Sequence, residues 1–116
     1  MFAINFYTSL YEDAILRGRK TVTVRLDDKS AKYGTGQLVW VTVGQRFGRR
    51  RKLFTAIIDA VHVKPLREVS PREIARESPE MRTHEELREF LSRIYDRDVS
   101  LEDTVTVVHF SPVEED

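Results

Sequence analysis

The 116-residue chain balances nineteen basic against nineteen acidic residues, so affinity for a polyanion cannot rest on bulk charge and would need a local patch. Hydrophobic residues at 41% and charged residues at 33% describe a folded domain rather than a disordered one, and the lack of cysteine excludes disulfides, thiol nucleophiles and cysteine-ligated zinc. No apolar run approaches the roughly 20 residues of a membrane span and the N-terminus has no signal-peptide pattern, so the expectation is one cytoplasmic domain over 1–116 with no membrane partner.

The first expected element is a short strand, Phe2 to Phe6, followed by a helix capped at Thr8 or Ser9. Its apolar face is Leu10, Ala14 and Ile15, and it ends near Arg17 with Gly18 as the stop. A strand is expected from Lys20 to Leu26, where Thr21, Val22, Thr23 and Val24 are β-branched and alternate polar with apolar. Asp27 to Gly36 reads as a loop. Gln37 to Val43 is apolar at nearly every position and predicts a strand buried on both faces. Gly44 to Lys52 predicts a hairpin turn, and a further strand runs from Phe54 to Val63. Ser70-Pro71-Arg72-Glu73 combines an N-cap, a first-turn proline and a Glu three residues after the cap, so a helix starts there. Thr83-His84-Glu85-Glu86 repeats the capping box, and Leu87, Phe90, Leu91, Ile94 and Tyr95 follow at helical spacing. Thr104 to Phe110 is the last strand. The pattern predicts an α+β fold, a small, mostly antiparallel barrel with two or three helices.

Chemistry concentrates in Gly18-Arg19-Lys20-Thr21-Val22-Thr23-Val24-Arg25, at the junction of a helix and a strand, where polar side chains can converge while the scaffold behind them stays rigid. The same residues also fit a solvated strand edge with incidental cations. In a regular strand Lys20 and Thr23 point to opposite faces, and they meet only if Lys20 belongs to the turn. As a base for Thr23, Lys20 needs its pKa lowered by roughly 3 units, at about 4 to 5 kcal/mol. A charged Lys20 that binds an oxygen or a phosphate needs no such shift. Arg46-Phe47-Gly48-Arg49-Arg50-Arg51-Lys52 sets five cations around one aromatic. It fits either a solvated turn or a contact with a phosphate backbone in which Phe47 stacks on a base. His62, His84 and His109 are far apart with no i, i+4 pairing, so no metal site is expected; His84 suits a capping role and His109 an edge strand. No nucleophile elbow, phosphate loop or dinucleotide fingerprint is present, and no cofactor is expected.

The segment from Ala14 to Arg25 resembles the signature of the ASCH domain, a PUA-like β-barrel, and is most similar to the small single-domain members that include the bacterial N4-acetylcytidine amidohydrolase. Thr35-Gly36-Gln37-Leu38-Val39 resembles the family's entry to its next strand, Glu85 to Tyr95 its late helix, and Val105 to Phe110 its closing strand. The resemblance implies hydrolysis of the N4 amide of an acetylated cytidine. Thr23 is then the nucleophile, Lys20 its activator or the oxyanion's partner, and a glutamate the proton carrier. An ungapped match back from Tyr95 makes that glutamate Glu80, with Glu77 as the alternative. Arg19, Thr21 and Arg25 of the motif are the implied substrate-binding residues. Gln37 departs from the family's acidic residue in its turn, and the cations at Arg46, Arg49, Arg50, Arg51 and Lys52 point to an RNA ligand instead. The rival expectation is therefore a noncatalytic RNA-binding module. Ribonuclease activity would need an acid/base pair, and none of the histidines lies in the motif.

Overall fold

The β-branched runs become five strands in the computed structural model, which describes residues 1–45 and 48–114: β1 (Ala3–Phe6), β2 (Val22–Leu26), β3 (Leu38–Gly44), β4 (Arg50–Pro65) and β5 (Thr104–Pro112). They form one mixed sheet in the order β1-β3-β4-β5-β2. Only the β1–β3 pair is parallel, so the sheet is mostly antiparallel. The sheet curls into the half-barrel of a PUA-like α+β fold, and the described residues add three helices: α1 (Glu12–Leu16), α2 (Pro71–Glu77) and α3 (His84–Tyr95).

Both capping boxes are present as the sequence predicts. The Ser70 and Thr83 side chains accept from the backbone N–H groups of Glu73 and Glu86, whose carboxylates return the bond. Alternation along the strands separates two cores. Val22, Val24, Leu26, Val105 and Val107 point outward beneath α2 and α3, where they meet Ile74, Leu87 and Leu91. Ile4, Phe6, Val39, Val41, Ala56, Ile58, Val108 and Phe110 fill the barrel interior with Ile15 of α1. Each fully buried Val, Leu, Ile or Phe among them contributes about 1.5–3 kcal/mol of transfer free energy.

Four local expectations are corrected. Leu10 belongs to a short 3-10 turn, Ser9–Tyr11, and is exposed, because the α-helix proper begins only at Glu12. β3 is not buried on both faces: Leu38 and Trp40 point to solvent, since the helices cover another part of the sheet. Arg50, Arg51 and Lys52 are not turn residues but pair with Gly44, Val43 and Thr42 across the hairpin. His109 does not lie on an edge strand, because β5 is hydrogen-bonded to β4 on one side and β2 on the other.

The edges of the sheet are β1 and β2. Arg25 of β2 bridges them by donating from Nη2 to the backbone oxygen of Asn5 in β1, at 3.2 Å. Lys20 and the Thr23–Arg25 pair sit on this seam.

Candidate active site at the barrel seam

β2 begins at Val22, so Lys20 and Thr21 precede the ladder and are free of strand alternation. Gly18 makes the turn with φ +73°, a conformation that favours glycine. The backbone N–H groups of Arg19 and Lys20 then both bond to the Ala14 carbonyl, and that of Thr21 donates to Arg76 of α2. This departure sends the Lys20 side chain inward, where it is almost wholly buried.

All three protons of a Lys20 ammonium are used. Nζ donates to Glu77 Oε1 at 2.7 Å, to the Glu77 carbonyl at 2.7 Å and to the Val22 carbonyl at 2.9 Å. It also lies 5.0 Å from the ring centroids of both Phe6 and Tyr11. Burial pulls the Lys20 pKa down, the Glu77 carboxylate pushes back, and the Arg25 charge adds to the lowering. An ammonium with every proton committed has no lone pair with which to take another, so Lys20 here is a fixed positive charge. Glu77 Oε2 accepts from the Val24 N–H at 2.6 Å, which ties the pair to the strand beside Thr23.

Thr23 is 3% exposed, and its hydroxyl oxygen accepts from Arg25 Nε at 2.9 Å. The Arg25 guanidinium is 5.4 Å from the centroid of the same Phe6 ring that Lys20 contacts. Asn5 holds the floor of the seam, donating to the Gly44 carbonyl and accepting from Thr42 Oγ1. Tyr11 stays protonated, because burial and then the Glu77 and Glu80 carboxylates raise its pKa.

The structure thus brings Lys20 and Arg25 to Phe6, with Thr23 joined to Arg25 and Glu77 as the carboxylate that meets Lys20; none of the three Lys20 Nζ bonds goes to Thr23. Glu80 is exposed beyond the end of α2, in electrostatic reach of Tyr11. Phe6, Tyr11 and Asn5 join the site without any signal in the sequence, since Asn5 and Phe6 read simply as strand residues and Tyr11 belongs to no motif.

Arg19 and Thr21 face other surroundings. Thr21 lines a concavity of about 720 Å³ on the outer face, between α2 and the β4–β5 ladder. Arg19 lines an adjoining one of about 430 Å³, and Arg72 and Arg76 line both. Arg19, Arg72 and Arg76 are exposed and have no carboxylate partner among the described residues. The hairpin cations are differently placed. Arg51 is paired with Glu12, Lys52 lies 5.4 Å from the Trp40 ring, and Arg49 and Arg50 are exposed. The expected roles of Arg46 and Phe47 lie outside the described residues.

Glu73, one helical turn before Glu77, serves the outer concavity. Its Oε1 accepts from Lys64 Nζ and the Ser70 N–H, both at 2.8 Å, and its Oε2 bonds His109 Nε2 at 2.7 Å. Burial alone would raise its pKa, but the hydrogen bonds from Lys64, Ser70 and His109 outweigh it and hold the carboxyl down at about 2. That lies below its ordinary 4.5, so the stability it contributes is complete above about 4.5 and is lost as pH falls through about 2. Glu73→Gln is therefore expected to cost about 1–3 kcal/mol at neutral pH. In urea titrations at descending pH its deficit should shrink over that window; a deficit independent of pH would refute the assignment.

No family model matches the sequence, and no curated protein matches it significantly. Solved structures match along nearly its whole length. The hypothetical protein PH0355 superposes with a TM-score of 0.69 at 17% identity, covering 97% of this chain and 98% of that one. An ASCH domain from Lactobacillus crispatus JV V101 gives 0.66 at 21% identity, over 95% of this chain and 77% of that one. Protein EF3133 from Enterococcus faecalis V583 gives 0.69 at 17% identity, over 97% and 81%.

Proposed function

We propose that this chain, which has the ASCH-domain fold, hydrolyses the N4 amide of an acylated cytidine at the seam between β1 and β2. The observation that carries the reading is the buried Lys20–Glu77 pair, 2.7 Å apart and tied through Val24 to the strand that presents Thr23. Glu77 takes the role that the family resemblance gave to Glu80, with Glu77 as its alternative.

The Thr23 oxygen attacks the acyl carbon, and its proton passes to the Glu77 carboxylate. The resulting oxyanion is stabilised by fixed positive charge, which Lys20 supplies without changing protonation and Arg25 adds to. Collapse breaks the bond to N4 and returns the Glu77 proton to the departing amine, leaving an acyl ester on Thr23. Water adds to that ester by the same route, releasing the carboxylic acid and restoring the hydroxyl. Because Arg25 donates to Thr23 in the resting site, an arriving substrate displaces the guanidinium, which then becomes available to the acyl oxygen. The test is cytidine release from N4-acetylcytidine by the purified chain, with Thr23→Val as the control; equal turnover by the two would end the proposal.

A second reading, RNA binding, is supported by Arg19, Arg72 and Arg76, which have no carboxylate partner among the described residues and lie along two adjoining concavities of a neutral protein. Arg72→Ala and Arg76→Ala should each weaken binding of a short single-stranded RNA and reduce the salt slope by about one. Arg51→Ala should change neither, since Arg51 is paired with Glu12. Fluorescence anisotropy across a salt series decides this, and salt-independent binding would count against it.

A further inference from the structure

We propose that His62, Glu73 and His109 form a binding site for a divalent transition-metal ion of the zinc type. A ring nitrogen from each histidine and a carboxylate oxygen of Glu73 all lie within 4.8 Å of one another. The His62 and His109 rings meet edge to face, with centroids 5.6 Å apart.

A β-bulge creates this cluster. On β4, Ile58 pairs with Phe110 and both point into the barrel. Asp59 is then an extra residue, so that Ala60 rather than Asp59 pairs with His109. From that point the side-chain alternation of β4 is inverted. Without the bulge His62 would share the inward face of Ile58; with it, His62 stands on the outer face diagonally beside His109. Glu73 then comes over the pair from α2.

The donor set fits the ion. Two imidazoles and one carboxylate are a known three-ligand set for zinc, leaving a fourth position for water. Tetrahedral bonds of about 2.0–2.2 Å place ligand atoms about 3.4 Å apart, so closing the cluster takes shifts of about an ångström. His62 is exposed and has the freedom to make them. Glu73 is already oriented, because Lys64 and the Ser70 N–H hold Oε1 and leave Oε2 toward the histidines. Lys64 also places a positive charge beside the ion, and Arg72 and Arg76 line the same concavity. The exchangeable position therefore suits hydroxide or another oxyanion. Imidazole ligands favour zinc, cobalt or nickel over magnesium and calcium.

Calorimetric titration of the whole chain with zinc chloride should show one ion bound per chain, with magnesium giving no saturable heat. His62→Ala removes an exposed side chain and leaves the His109–Glu73 bond intact, so the fold survives and affinity should fall at least about tenfold, the loss of one ligand. His84→Ala, whose ring bonds the Val69 carbonyl instead, should bind zinc like the parent chain. Cobalt titration should give the intense visible bands of a tetrahedral site, absent in His62→Ala. Failure of the parent chain to bind zinc, or equal affinity in His62→Ala, overturns the proposal.

Discussion

Thr23→Val should reduce cytidine release from N4-acetylcytidine by roughly 10³-fold or more while leaving the chain folded, because it deletes the nucleophilic oxygen and nearly preserves the volume. Among the described residues the hydroxyl of the buried Thr23 makes one hydrogen bond, accepting from Arg25 Nε. Losing it costs about 1 kcal/mol. A matched pair of urea curves therefore separates the chemical effect from the structural one. Glu77→Gln should lower turnover by about 10²–10⁴-fold, the range for a lost proton carrier. Glu80→Gln, in an exposed residue outside the Lys20 network, should leave it nearly unchanged. If Glu80→Gln were instead the damaging variant, the proton route through Glu77 would be wrong.

Lys20→Met should destabilise the protein by about 3–5 kcal/mol, the cost of leaving one member of a buried ion pair without the other. Glu77 would remain a buried carboxylate, with the Val24 N–H as its one remaining hydrogen-bond partner in the site. The Val22 carbonyl would lose its donor as well. The double variant Lys20→Met/Glu77→Leu should recover part of the loss, because an apolar pair removes both desolvation costs. Recovery stays incomplete, since the Val24 N–H loses the carboxylate it donates to. Urea denaturation of these two variants and of the Glu77→Leu single variant completes the double-mutant cycle and measures the coupling directly. Equal destabilisation by Lys20→Met and the double variant would show that the pair contributes through packing rather than charge. Because Lys20→Met perturbs the fold, lost activity in that variant says little about catalysis, and Thr23→Val is the cleaner probe.

The sequence by itself determined the elements whose signals are local. The capping boxes at Ser70 and Thr83, the helical spacing from Leu87 to Tyr95 and the β-branched run Val22 to Val24 each act within one helical turn or a few strand positions. It also marked the Lys20–Arg25 segment, because Gly18 ends the helix and the polar residues follow directly. What it could not decide is which distant side chains meet. Glu77 lies 57 residues from Lys20, and only the docking of α2 on β2 places it rather than Glu80 against the ammonium. The outer cluster is further from view: it depends on β5 lying between β4 and β2, and on one extra residue at Asp59 that reverses the alternation of β4. Spacing rules assume an unbroken period, and a bulge breaks that period to satisfy the packing of the whole sheet. His62 and His109 therefore read as unrelated residues in the chain and become neighbours only when tertiary structure fixes the register.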